Sequence, residues 1–158
     1  MTIHRHVKFA VCLAILVTFA DQFSKWWLVN TIMRPPHVEP VTSFLNLVLV
    51  HNKGVTFGLL NTMNHQIMPA ILMAVAIVIL FFLGRWLYLT RSMPVAIGLG
   101  AVMGGAVGNV LDRIREGAVV DFLDFYYANY HWYAFNIADA AIVTGVSLLL
   151  LDSVLRAR

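Results

Sequence analysis

Four apolar stretches, each close to the ~20 residues a helix needs to cross a bilayer, constrain this chain more than any other feature. They cover about 7–29, 67–87, 93–111 and 133–155, the last most apolar between Tyr133 and Leu151. No water inside a bilayer satisfies backbone N–H and C=O groups, so such runs must close their hydrogen bonds within themselves, as helices. Composition agrees: 60% of residues are hydrophobic and 12% charged, against roughly 45–50% and ~25% in soluble domains. The expectation is an α-helical polytopic membrane protein of four helices, folded as a single membrane domain over 1–158. The first run follows His4, Arg5 and Lys8, as a signal peptide would. Asp21-Gln22-Phe23-Ser24-Lys25-Trp26-Trp27 comes after it in place of a small-residue cleavage site, so it reads as an uncleaved anchor. Cys12 is the one cysteine, which excludes an intrachain disulfide and a thiolate metal cluster.

Four spans place both termini on one side. That side carries Arg5, Lys8, Arg85, Arg91, Arg156 and Arg158; the other has Lys25, Arg34, Lys53, Arg113 and Arg115. The basic excess is slight, but Arg85 and Arg91 in the short connection between the second and third spans favour cytoplasmic termini. Trp26 and Trp27 fit an outer aromatic belt, and Trp86 and Tyr88 an inner one.

Two outer loops, 30–66 and 112–132, remain. In the first, the β-rich run Phe44–His51, the turn Asn52-Lys53-Gly54 and the run Val55-Thr56-Phe57 read as a small β-hairpin. The second is expected to be an aromatic loop: residues 117–135 hold Phe122, Phe125, Tyr126, Tyr127, Tyr130, Trp132, Tyr133 and Phe135, a density that suits the membrane interface.

Carboxylates in apolar surroundings carry the chemical signal. Asp139 lies about one turn into the fourth run, and an intramembrane acid is costly enough to suggest function. Asp121 lies in a second apolar, aromatic stretch, with Asp124 three positions on; the pattern does not choose between them. Asp21 and Lys25, four apart with the acid first, read as a helical ion pair. Asp112 beside Arg113 reads as a tie between a helix end and a loop. Gly100, Gly104 and Gly108 form a small-residue stripe for close helix packing, expected to bring Asn109 and Asp112 near the fourth helix. Asn52 with Gly54 reads as turn chemistry. Asn136 suits either a helix cap or a hydrogen bond to a carboxylate or substrate carbonyl.

No His-Glu-x-x-His, no Gly-x-Ser-Gly and no phosphate-binding glycine loop is present, and the histidines are scattered. Catalysis would therefore run on carboxylates, with no metal and no cofactor expected. Two adjacent carboxylates do not both ionise easily. Such a pair can activate a water for attack on an amide while protonating its carbonyl oxygen.

Five segments occur in order: Asp21-Gln22-Phe23-Ser24-Lys25; Asn52-Lys53-Gly54-Val55-Thr56-Phe57-Gly58; Gly104 through Asp112-Arg113; Val119-Val120-Asp121-Phe122; and Phe135-Asn136-Ile137-Ala138-Asp139. Together, over nearly the whole chain, they resemble the bacterial lipoprotein signal peptidases (type II signal peptidases). The resemblance implies an intramembrane aspartyl endopeptidase of the inner membrane. It would remove signal peptides from diacylglyceryl-modified prolipoproteins, cleaving before the lipidated cysteine. It implies Asp121 and Asp139 as the catalytic pair, which sets Asp124 aside. It also implies Asn52, Gly54, Asn109, Arg113 and Asn136 as residues that line the pocket and orient substrate, with Asp21, Lys25 and Asp112 in support. The expected partners are lipid-modified prolipoproteins and membrane lipids, with no nucleic acid; the chain is expected to act as a monomer with its site near the periplasmic face.

Two other classes compete: an ion- or proton-coupled transporter with Asp139 as carrier, and a non-catalytic assembly protein using the glycine stripe. The clustering of acids at one face disfavours the transporter.

Overall fold

The computed structural model describes residues 5–32, 38–54 and 68–157. Helices α1 (Arg5–Trp27), α2 (Met68–Leu89), α3 (Met93–Glu116) and α4 (Ile137–Arg156) are each long and apolar enough to cross a membrane, α1 extending through a π-helical turn at Leu28–Ile32. Helix α3 is central. It packs along α1 and α4, and α2 lies against it. The glycines of α3 make this possible: a Cβ on Gly100 would come 2.7 Å from the Ala10 carbonyl oxygen, and one on Gly104 2.6 Å from that of Ala14. With no hydrophobic drive between helices in lipid, such backbone approach supplies the packing. The stripe thus faces α1 rather than α4. Gly98 and Gly105, on another face, approach α4 instead, Gly98 at the Gly145 carbonyl oxygen and Gly105 at that of Ala138.

Strands β1 (Glu39–Pro40), β2 (Leu45–Asn52), β3 (Val119–Tyr127) and β4 (Tyr130–His131) form an antiparallel sheet in the order β1-β2-β3-β4. The aromatic segment expected as a loop is thus largely strand. Its aromatic and β-branched residues suit a strand as well as a membrane surface. The described partners of β2 are β1 and β3; the second arm of the expected hairpin, 55–57, lies outside the described residues.

Two helix limits differ most from those expected, the others by two residues at most. Helix α3 runs on to Glu116 rather than 111, because hydropathy stops at Asp112 while Arg and Glu remain good helix formers. Gly117, at φ 67°, then ends it, its N–H donating to the Arg113 carbonyl. Helix α4 begins at Ile137 rather than 133: Phe135 is held in an antiparallel bridge to Leu123, and Asn136 caps the helix.

One irregularity positions the site. Leu47 pairs with Leu123, but Val50 pairs with Asp121, so β2 carries one extra residue between these pairs. Such a bulge shifts the register by one and exchanges the faces of the residues beyond it. Continued without it, the pairing would turn Asn52 away from Asp121. With it, Asn52 pairs with Val119 and shares the face of Asp121.

Candidate active site

Asp121 is the third residue of β3, 1% exposed. Asn52 Nδ2 donates to its Oδ2 at 2.9 Å, and Asn136 Nδ2 donates to its Oδ1 at 2.7 Å. Asp139, half-buried in the first turn of α4, accepts at Oδ1 from Asn109 Nδ2 at 2.8 Å. Asn136 joins the two acids: its Oδ1 accepts the Asp139 backbone N–H at 2.9 Å, while its amide serves Asp121. Both readings of this residue, helix cap and carboxylate partner, are realised by opposite ends of one side chain. Asn52 behaves likewise, its Oδ1 accepting the Gly54 N–H at 2.8 Å in a tight turn with Gly54 at φ 82°. A Cβ on Gly54 would also meet the tip of the Leu72 side chain, which would have to move aside.

Burial pushes Asp121 up to about 6; the neighbouring charge of Asp139 adds to the rise, while the amide bonds of Asn52 and Asn136 oppose it. A carboxyl group set there can hold or release a proton near neutral pH. Arg113 stands close enough to Asp139, Asp112 and Asp121 to feel their charges. Its Nη1 donates to the Asn109 carbonyl at 3.2 Å, and its Nε is buried with no hydrogen-bond partner among the described residues. It also lines an open groove of about 430 Å³ with Lys53, Glu116 and the start of α2 at Pro69 and Ala70.

Among the described residues no hydrogen bond or ion pair joins Asp21, Lys25 or Asp112 to this pair, although the charge of Lys25 is felt at Asp121. These three form a second buried cluster in which Lys25 Nζ lies 2.7 Å from Asp21 Oδ2 and 2.6 Å from Asp112 Oδ2. Asp112 therefore meets α1, not α4, and the tie expected to a loop is made instead to strand β3, its Oδ2 accepting the Val120 N–H at 3.2 Å. Asp21 Oδ1 accepts the Ala138 N–H at 3.0 Å. The residues so gripped immediately precede Asp121 and Asp139. Gln22 completes the cluster, donating to Asp112 Oδ1 at 2.7 Å. It is not among the residues the sequence singles out, because an uncharged side chain between Asp21 and Phe23 gives little signal. Asp124 stands apart, buried against Asn46 Nδ2 at 3.1 Å and His131 Nδ1 at 2.8 Å.

The fold and the site define a class: a small multi-pass membrane enzyme with paired aspartates at one end of its helices. Comparisons narrow it. Residues 13–155 match the family described as signal peptidase (SPase) II. A lipoprotein signal peptidase of Solibacter usitatus is 42% identical over 88% of this chain and 86% of its own length. One from Rhodopseudomonas palustris is 40% identical over 96% and 94%. A bacterial membrane enzyme solved by the in meso method at 1.9 Å resolution superposes with a TM-score of 0.79 at 27% identity, covering 94% of this chain and 97% of that one. The chain belongs to the signal peptidase II family, proteases that remove signal peptides from prolipoproteins.

Proposed function

We propose that Asp121 and Asp139 are the catalytic dyad, cleaving diacylglyceryl-modified prolipoproteins before the lipidated cysteine. The observation that carries this reading is Asn136, whose one side chain binds Asp121 through its amide and the Asp139 backbone through its oxygen. In the resting pair a single proton is shared, and burial favours placing it on Asp121. Asp139 then takes a proton from water as the oxygen attacks the scissile carbonyl, and Asp121 donates to the developing oxyanion. The tetrahedral intermediate collapses as the amide nitrogen takes the proton now on Asp139 and leaves, while a hydroxyl of the intermediate returns its proton to Asp121. Asn109 fixes Asp139; Asn52 and Asn136 fix Asp121. Arg113, with donors to spare, orients a substrate carbonyl from the groove it shares with Lys53.

The enzyme resides in the bacterial inner membrane as a monomer, both termini cytoplasmic and the dyad shallow at the periplasmic face. A lipid anchor on the substrate cysteine would hold the scissile bond at that depth. Membrane lipids fill the apolar outer faces of α1, α2 and α4.

The test is cleavage of a diacylglyceryl-modified prolipoprotein by the purified chain and by Asp121→Asn and Asp139→Asn. Each variant is expected to lose roughly 10²–10⁴-fold in rate, the range for removing a general acid or base. Either variant cleaving at the wild-type rate would refute the dyad.

A further inference from the structure

The paired strands β2 and β3 have a second side. Asn52 and Asp121 point to one face of the ladder, and His51 and Val120, themselves a register pair, to the other. Behind the sheet, on that other face, lies a cavity of about 220 Å³ between the ends of α1 and α3. It is smaller than the ~300–1,000 Å³ of sites that enclose a whole drug-sized ligand. Its floor is the Lys25–Asp112 pair, already satisfied. Its rim is different: Arg115 and Glu116 are exposed, and neither has an ion-pair partner among the described residues. Arg115 has one guanidinium nitrogen on Gln22 Oε1 at 2.8 Å, leaving further donors of its planar fork without a partner among the described residues. His51 and Asn30 add polar groups to the same rim.

Asn30 belongs to the π-helical turn Leu28–Ile32, and its amide donates to the Trp26 carbonyl at 2.7 Å. Below the rim, away from the sheet, α1 presents a line of exposed rings. Phe19 and Phe23 stack with centroids 5.9 Å apart, and Phe23 lies 6.0 Å from Trp26, which lines the cavity. A polar pocket carrying one unpaired charge of each sign thus stands at the head of an apolar track on a membrane-spanning helix.

We propose that this cavity binds the headgroup of a zwitterionic aminophospholipid. The phosphate is held by Arg115 with His51, the primary ammonium by Glu116, and an acyl chain lies along Phe19, Phe23 and Trp26. Guanidinium and phosphate match in geometry as well as charge. Both opposite charges on the rim are then neutralised by one ligand. Because Val120 lines the cavity and precedes Asp121, the bound lipid braces the back of the strand that carries the acid.

Delipidated full-length protein in detergent would be titrated with phosphatidylethanolamine, phosphatidylcholine and phosphatidylglycerol of identical chains, with binding read by native mass spectrometry. One saturable phosphatidylethanolamine is expected, bound about tenfold more tightly than phosphatidylglycerol, which lacks the ammonium. Arg115→Gln should weaken phosphatidylethanolamine binding about tenfold, and Glu116→Gln should abolish its advantage over the other two lipids. Helical circular dichroism establishes that each variant is folded. Equal binding of all three lipids by the wild type, or wild-type binding by both folded variants, would overturn the proposal. So would glycerophosphoethanolamine binding as tightly as the lipid, which would make this a small-solute site without an acyl contact.

Discussion

Two clusters of aspartates lie side by side in this protein, linked through Val120 and Ala138. In one, Asp21 and Asp112 share the ammonium of Lys25, with all three groups buried. In the other, Asp121 and Asp139 meet, among the described residues, only neutral amides at hydrogen-bond distance, from Asn52, Asn136 and Asn109. Burial alone does not separate them, because Asp21 and Asp121 are 0% and 1% exposed. The partner does. A cation on two carboxylates gives a charged node whose removal on one side leaves an uncompensated buried charge. Amide donors orient a carboxylate without cancelling its charge, so a proton remains exchangeable. The first arrangement suits a fixed joint between helices; the second suits proton transfer.

The largest effect that would break this contrast is on stability at the node. Lys25→Met strands two facing acids and should cost about 3–5 kcal/mol, measured by unfolding in detergent. Adding Asp21→Asn and Asp112→Asn should recover most of that loss. A single variant as stable as wild type would mean that the node does not join the helices.

Next comes pH. Asp121 stands at about 6 when folded, above its ordinary 3.8. Between these values the folded protein binds the proton that the unfolded chain has released, so this residue's stabilising protonation is complete below about 3.8 and is lost as pH rises through about 6. The shift corresponds to up to about 3 kcal/mol. Asp121→Asn removes it, so the stability difference should move toward the variant by up to that amount between about pH 3.8 and pH 7. A difference constant across this range would contradict the raised value.

Smaller effects fall on the amides. Asn109→Ala should lower kcat/KM roughly 10–100-fold, as expected for losing a hydrogen bond to a charged group. Asn46→Ala, whose partner is Asp124, should leave cleavage within about twofold of wild type. Equal losses in both would erase the distinction between Asp121 and Asp124. A small effect is also expected at Gly117, which joins α3 to β3. A Cβ at Gly117 would meet nothing within 4 Å, so Gly117→Ala should cost only about 1 kcal/mol of backbone strain, seen in the melting curve. A much larger loss would show that Gly117 does more than end α3.

The four helices were legible because hydropathy is a local property. Asp139 was legible because an acid at the head of an apolar run is costly wherever the run packs. The end of α3 was less so, since Asp112-Arg113-Ile114-Arg115-Glu116 has fallen in hydropathy but not in helical preference. The sheet was partly hidden. Aromatic residues at 117–135 suit a strand or a membrane surface alike, and pairing with β2 crosses some 70 residues of chain.

By itself the sequence determined the spanning segments, the Asp21–Lys25 pair at helical spacing, and the gathering of acids toward one face. Only the tertiary structure decided which acid receives which partner. Lys25 reaches Asp112 across 87 positions, and Asn52 reaches Asp121 across 69. The second contact depends on one extra residue in β2, which turns Asn52 to the face of Asp121. Composition and periodicity are sums over neighbours and do not register a shift of one residue. Hydrogen-bond partnership between distant segments depends on that shift, and here it gives Asp121 an amide donor on each carboxylate oxygen.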